Sequence, residues 1–218
     1  GYDSSAVYMP LCTDNLPEPK VKDPSDAFIQ AAATGANLPA VLDAAAAHWD
    51  GAAYIEIVKR RDVAESWRWR FSDDPGNAWA SDTNATKAAA PALAAAGTYV
   101  GYRLRVGAKF GVFTAEIVHI TGTATTITHG MNTTRAAVIA TRVSAGGGDR
   151  FVYHPDMVAG ELLKLNVIAT AAADTTITGF GANSCQIGAA APSGTYRVIV
   201  LAERSGFLAL AKHTGTGA

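Results

Sequence analysis

Two stretches of the chain decide its fold because they carry nearly the same pattern. The first, GTYVGYRLRVGAKFGVFTAEIVHITGTA, covers residues 97–124, and the second, GTYRVIVLAERSGFLALAKHTGTGA, covers residues 194–218. Both open with Gly-Thr-Tyr, continue as a long apolar segment and later reach a histidine followed by threonines and glycines. A pattern that recurs at this spacing predicts two copies of one structural unit.

Further matches extend the repeat upstream of these two stretches. The matched pairs are Ala52-Ala53 with Ala136-Ala137, Arg70-Phe71 with Arg150-Phe151, and His119 with His213. Their order is constant while their spacing drifts, which is what loop insertions produce. We therefore predict an N-terminal segment over residues 1–51, a first module over 52–123 and a second over 124–218. Each module has the size of a small β-sandwich.

The strands are predicted from alternating side chains, because successive residues of a strand point to opposite faces. In SWRWRFS, residues 66–72, the aromatic residues Trp67, Trp69 and Phe71 share one face, which we expect to be core. The arginines predicted to point outward, as a solvated face or a subunit contact, are Arg68, Arg70, Arg103 and Arg105. The predicted fold is mainly β, with two tandem antiparallel β-sandwich modules.

The first 51 residues differ in pattern from the rest. A proline-rich stretch precedes Asp23-Pro24, which is typical of a helix start. We predict one helix over PSDAFIQAAA, residues 24–33, and a second over LPAVLDAAAAHW, residues 38–49. Alanine-rich helices of this length are marginal alone. We therefore expect this short helical segment to pack on the first module or on a partner subunit.

Composition and motifs exclude several classes of function. The net charge is −1 and charged residues make up 17% of the chain, so we expect no nucleic-acid partner. No apolar run reaches the length of a membrane span, so we expect no membrane insertion. The chain lacks the common hydrolase, nucleotide-binding and zinc motifs, and its five histidines have no metal-ligand spacing. We predict no catalytic residue, no cofactor and no metal, hence a protein that is not an enzyme.

Cys12 and Cys185 are far apart in the chain and form no disulfide or zinc pattern. Cys185 lies between polar and apolar neighbours and is predicted to be a small buried side chain.

The most polar loop, FSDDPGNAWASDTN at residues 71–84, is the candidate binding site. Its predicted glycan-binding residues are Trp79, Asp73, Asp74, Asn77 and Asp82. Carboxylates and amides bind sugar hydroxyls, and an indole ring covers the apolar face of a pyranose. Alternatively, Asp-Pro-Gly-Asn builds a turn and Trp79 caps the edge of the sandwich. The sequence leaves both interpretations open.

Four motifs in the second module resemble those of a known group of proteins. These are a Thr-rich strand ending in His129-Gly130, the pair Gly179-Phe180, the strand opening at Gly194–Tyr196, and the seam HTGTGA at residues 213–218. Together they resemble a repeat module of tail-fibre-like and other virion-associated proteins of bacteriophages and prophages. The resemblance covers residues 124–218 well, residues 52–123 through the internal repeat, and residues 1–51 hardly at all.

The resemblance implies a non-enzymatic virion structural protein of tail-fibre or spike type, located on the virion and outside the cell. Its partners would be the virion or sister subunits in a homo-oligomer, together with a bacterial surface polysaccharide. Because such modules occur in tandem arrays, it also implies further modules after this chain. The alternative function is a carbohydrate-binding module that recognises a bacterial surface glycan.

Overall fold

The computed structural model describes residues 26–65, 67–73, 79–81, 92–144, 150–156, 163–165, 171–173 and 177–211. The strands of the first half are β1 (Phe28–Thr34), β2 (Tyr54–Arg60), β3 (Arg68–Phe71), β4 (Ala80–Ser81) and β5 (Thr98–Arg105). Those of the second half are β6 (Val112–His119), β7 (Thr125–Thr128), β8 (Ala136–Arg142), β9 (Arg150–Tyr153), β10 (Leu163–Leu165), β11 (Ala171–Ala173), β12 (Ile177–Thr178), β13 (Ser184–Ile187) and β14 (Gly194–Ala202). The helix is α1 (Leu38–Ala45), followed by a 3-10 turn at Ala47–Trp49.

In the described residues these strands form three antiparallel sheets. Sheet A has the order β1-β5-β2-β3-β4, sheet B the order β11-β10-β9-β8-β14-β6, and sheet C the order β12-β13-β7. The prediction of a mainly β protein with a short helical segment near the N-terminus is confirmed.

The internal repeat is present in the topology of sheets A and B. In sheet A, β5 lies between β1 and β2, and β3 follows β2. In sheet B, β14 lies in the same way between β6 and β8, and β9 follows β8. The equivalent pairs are β1 with β6, β5 with β14, β2 with β8, and β3 with β9. Between the opening and second strands the first copy has α1 and the second copy has β7. We call β1 to β5 the first module and β6 to β14 the second.

The modules meet one strand earlier than predicted. The predicted boundary after residue 123 leaves β6 in the first module, whereas β6 pairs with β14 along its whole length, from Val112↔Leu201 to His119↔Gly194. The histidine with its Thr/Gly tail ends the opening strand of a copy, so it does not mark the end of the preceding one. Strand β1 is the corresponding opening strand of the first module.

The helix predicted over residues 24–33 is wrong, because Phe28–Thr34 forms β1. Its partner is β5, in a register that runs from Phe28↔Leu104 to Thr34↔Thr98. Pairing with a neighbouring strand overrides the helix preference of alanine, which is a weak local term. The second predicted helix is confirmed as α1 and its 3-10 turn, with Pro39 in the first turn where its missing N–H costs nothing.

Three apolar clusters show how the layers stack. A helix-side cluster joins α1 to sheet A through Leu38, Leu42, Val58 and Tyr99. A second-module core joins sheets B and C through Ile127, Cys185, Ile187 and Val198, among others. A third cluster, the module interface, joins sheets A and B through Ile55, Ile57, Trp69, Phe71, Leu104, Val106, Val112, Ile199 and Leu201. The layer order is therefore helix, sheet A, sheet B, sheet C, with the two modules packed face to face.

The close contact of α1 with sheet A depends on a glycine. A Cβ atom on Gly101 of β5 would lie 3.0 Å from side-chain carbons of both Leu38 and Leu42. The absence of that atom lets the helix sit directly on the strand, so that both leucines are fully buried.

Candidate functional site

The predicted glycan loop lies only partly within the described residues. Asp74, Asn77 and Asp82 fall outside them, and their part of the prediction stays a prediction. Asp73 and Trp79 are described, and they lie in different environments.

Trp79 is buried in the first module, with 6% of its surface exposed. It belongs to the helix-side cluster, and the guanidinium carbon of Arg70 lies 4.3 Å from the centroid of its ring. An indole covered by protein on this scale has no free face for a sugar ring. Of the two interpretations of Trp79, its burial favours the structural one, in which the side chain packs at the edge of the module.

Asp73 connects the two modules. Its two carboxylate oxygens accept hydrogen bonds from Nη1 of Arg197 at 3.1 and 3.0 Å. Arg197 is on β14, and its Nη2 also donates to Glu116 on β6 at 3.2 Å. The Arg197 guanidinium carbon lies 4.3 Å from the centroid of the Phe71 ring. Asp73 therefore helps to hold a buried arginine at the module interface.

A buried row of charges in sheet A is the most unusual feature of the described residues. Glu56 on β2 is fully buried, and the adjacent strands place Arg103 and Arg70 directly opposite it. Arg103 donates to Oε1 of Glu56 from Nε at 3.0 Å and from Nη2 at 2.6 Å, and Arg70 donates from Nε to Oε2. One carboxylate is therefore held between two guanidinium groups. We call these three residues the charged row.

The charged row is completed from the helix layer. Nη2 of Arg103 also donates to Oδ1 of Asp43 on α1 at 2.7 Å, and its guanidinium carbon lies 3.9 Å from the centroid of the Tyr54 ring. Burial opposes the charge of Arg103, but its hydrogen bonds to Asp43 and Glu56 more than offset this and raise its pKa. Burial also raises the pKa of Tyr54, although the charge of Arg103 works in the opposite direction. Together with Asp43, the charged row has two carboxylates for its two guanidinium groups.

This geometry gives the charged row a structural role. A general base needs a free oxygen within reach of a substrate, whereas both oxygens of Glu56 are engaged and none of its surface is exposed. The prediction that Arg70 and Arg103 point outward is wrong, because α1 and the side chain of Trp79 lie on that face of sheet A and both arginines are buried. The signal for this arrangement was Glu56, a lone acid inside an apolar strand whose neighbours carry arginines at alternating positions.

A second ion-pair group lies at the surface of the second module. Arg135 donates to Asp156 from Nη1 at 2.6 Å and to Glu203 from Nε at 2.8 Å. The hydrogen bond from Arg135 lowers the pKa of Glu203. This group ties the start of β8 to the segment that follows β14.

The buried histidines have protein partners. His119 is 1% exposed, and its ring nitrogens lie 2.9 Å from Oγ1 of Thr125 and 3.2 Å from the carbonyl oxygen of Ala191. Nδ1 of His129 accepts a hydrogen bond from the Met131 amide at 3.2 Å, and burial lowers its pKa. Within the described ranges, no three His, Cys, Asp or Glu side chains are placed to hold a metal ion. His213 lies outside them.

Cys185 is buried in the second-module core, as predicted. Burial raises the pKa of its thiol to about 11, so the group is protonated and a poor nucleophile near neutral pH. Cys12 lies outside the described residues.

Comparison with protein-family models, with curated proteins and with solved structures found no match to this chain. A search of the described residues for a helix with the length and apolar character of a membrane span found none.

Proposed function

We propose that this chain is a non-enzymatic structural protein of a bacteriophage or prophage virion, of tail-fibre or spike type, which spaces and displays host-binding surfaces. The observation that carries the proposal is the repeat. The second module has the motifs that resemble virion repeat modules, and the first module has the same strand order. Repetition of one module suits a protein whose work is to span distance and to multiply contacts.

The use of charged side chains supports a structural role. The charged row, the Arg197 contacts and the Arg135 group each join different strands or layers. Their carboxylates accept hydrogen bonds from arginines, and these bonds hold the joined strands and layers together. These groups fix geometry, which is what a display protein requires.

The module interface also supports the proposal. Apolar side chains of sheets A and B pack against one another there, and two arginines of the second module lie over aromatic rings of the first. The guanidinium carbon of Arg150 lies 4.6 Å from the centroid of the Trp69 ring, and that of Arg197 lies 4.3 Å from the centroid of the Phe71 ring. Such a joint makes the two modules one stiff unit, a useful property in a particle appendage that bears load.

The proposed partners are the virion itself and sister chains in a homo-oligomer. Residues 1–51 are proposed to take part in that attachment. With several copies in one particle, weak contacts to a bacterial surface polysaccharide add up to firm attachment.

The test is to locate the chain in purified particles. Antibodies raised against the purified chain, tested by immunogold electron microscopy on phage from the strain that encodes it, should label the tail or its appendages. Antibodies against a cytoplasmic host protein serve as the control. Particles that carry no label and no peptide of this chain by mass spectrometry would overturn the proposal.

A further inference from the structure

The outer face of sheet C is polar and uncharged. Its strands alternate, so that Ile127, Cys185, Ile187 and Ile177 face the second-module core and the residues between them face outward. The outward residues are Thr126, Thr128, Thr178, Ser184 and Gln186, which we call the sheet C face. Pairing of the three strands places Gln186 opposite both Thr126 and Thr178, and Ser184 opposite Thr128.

The lack of charge on the sheet C face is informative. None of the residues in β7, β12 or β13 is acidic or basic. Protein surfaces usually intersperse charges of both signs, because charge maintains solubility. Hydroxyl and amide groups without charge both donate and accept hydrogen bonds. Such a surface offers no electrostatic attraction to nucleic acid, to acidic polysaccharides or to anionic membranes.

An exposed aromatic side chain lies just beyond the end of β12. Phe180 follows Thr178 by two residues, and 40% of its surface is exposed. Its ring stacks on Tyr153, with centroids 3.5 Å apart and planes 18° from parallel. Because Tyr153 packs against the second-module core, one face of the phenyl ring is fixed in place while part of the side chain stays open to solvent.

Gln186 links the sheet C face to the backbone beside Phe180. A Cβ atom on Gly179 would lie 2.9 Å from Cδ and Oε1 of Gln186, so the amide rests on the backbone just before Phe180. Gly179 has φ of +60°, a conformation that glycine adopts without strain. Nε2 of Gln186 donates to Oγ1 of Thr126 at 3.3 Å. This bond orients the amide. Among the described residues no other hydrogen bond engages Oε1 or the second N–H, so both are placed to bind a ligand.

We propose that the sheet C face with Phe180 is a binding site for a neutral glycan. A pyranose ring has an apolar C–H face that packs on an aromatic ring, and hydroxyls around its edge that match amide and hydroxyl groups. Phe180 supplies the aromatic ring, and Gln186 with Thr126 supplies the amide and hydroxyl groups. Because the face carries no positive charge to attract acidic sugars, a neutral sugar is the expected ligand. This site is separate from the loop at Trp79, and the inference rests on the proposed function for its biological setting.

The test is affinity electrophoresis of the whole chain in native gels that contain dextran, yeast mannan or arabinogalactan, with alginate as the acidic comparison. The chain should be retarded by at least one neutral polysaccharide and not by alginate. Phe180→Ala should weaken that binding at least tenfold, and Gln186→Ala about threefold. The matched control is Trp67→Ala, which removes an aromatic residue of similar exposure (43%) from the first module and should bind as the parent does.

Three results would overturn the inference: no retardation by any of the neutral polysaccharides, retardation by alginate alone, or equal retardation of parent and Phe180→Ala. If Phe180→Ala loses its native circular dichroism, Gln186→Ala and Thr126→Ala decide the matter. The electron-microscopy test is independent. If the particles are labelled but the chain binds no glycan, only this site is rejected. If the chain binds a glycan but the particles are not labelled, only the virion role is rejected.

Discussion

The first and second modules share their strand order, yet equivalent positions of the two modules carry charged side chains in one and uncharged side chains in the other. Tyr99 and Tyr196 open equivalent strands, and Arg60 and Arg142 lie opposite them. Four residues after each tyrosine and four residues before each arginine lie the positions that correspond between the two modules, together with their partners on β3 and β9. The first module has Arg103, Glu56 and Arg70, and the second has Val200, Val138 and Tyr153.

The difference shows that the same strand order accommodates either charged or apolar side chains in its interior. What the two modules share is the pairing of their strands and a second layer that covers the sheet. Val138 and Val200 are as buried as Glu56 and Arg103. The apolar row gains stability from leaving water, whereas the charged row must recover the cost of desolvation through its hydrogen bonds. The charged row is covered by α1, whose Asp43 contributes to it, and the second-module core is covered by sheet C.

The largest expected effect comes from Glu56→Val, which leaves two arginines without their shared carboxylate. Breaking a buried ion pair from one side costs about 3–5 kcal/mol, and we expect a loss of that size in the free energy of unfolding. Urea is the right denaturant, because guanidinium salts screen charges. Glu116→Val on the more exposed side of β6 is the control and should cost much less. A loss below about 1 kcal/mol for Glu56→Val would contradict this expectation, because it would show that Arg70 and Arg103 are accommodated without the carboxylate.

The converse experiment gives the first module the row of the second. The triple variant Glu56→Val, Arg70→Tyr, Arg103→Val removes all three buried charges together. Replacing buried ion pairs with packed apolar groups is often neutral or stabilising by about 1–4 kcal/mol, so we expect the triple variant to match or exceed the parent in urea. A triple variant less stable than Glu56→Val alone would show that the fit of the ions, and not their burial, dominates.

The sequence predicted the strands better than it predicted their grouping. Alternation in SWRWRFS placed Trp69 and Phe71 on one face and Arg70 on the other, and the structure confirms that division. The match of Arg70 with Arg150 is wrong: Arg70 lies opposite Glu56, whereas Arg150 lies opposite Thr141, at the position equivalent to Trp67. Short strands of similar composition align at several offsets, and hydrogen-bond register is a long-range property.

The candidate site was harder to predict, because coverage of a face is not a local property of the sequence. Alternation correctly separates the arginines from the aromatic residues, but it does not tell which face meets solvent. Sheet A is covered on both faces, by α1 and by sheet B, so Arg103 and Trp79 are both buried. The polar face that stays open belongs to sheet C, whose threonines enter the sequence prediction only through the resemblance.

A smaller effect is expected at the module interface. Arg197 is almost fully buried, but the side chains of Asp73 and Glu116 are 55% and 39% exposed. Arg197→Leu therefore leaves carboxylates that water can solvate, and solvent screening reduces what the pairs contribute. We expect a loss of about 1–2 kcal/mol, in the range of a hydrogen bond to a charged group. Asp73→Asn should cost less than Arg197→Leu, and a loss at Arg197 as large as that at Glu56 would remove the distinction between the two sites.

The smallest expected effect is a pH dependence of stability that arises in the second module. Burial lowers the pKa of His129 in the second module below its unfolded value of about 6.5. Between those two pKa values the unfolded chain binds more protons, so stability falls as pH drops from about 7 towards the lowered pKa and levels off below it. Protonation at Nδ1 would also remove the acceptor of the Met131 amide. His129→Gln should flatten this slope in urea titrations between pH 7 and 5, whereas His48→Gln, at an exposed position of the first module, should leave it unchanged. An equal slope in the parent and His129→Gln would show that a group other than His129 causes the pH dependence.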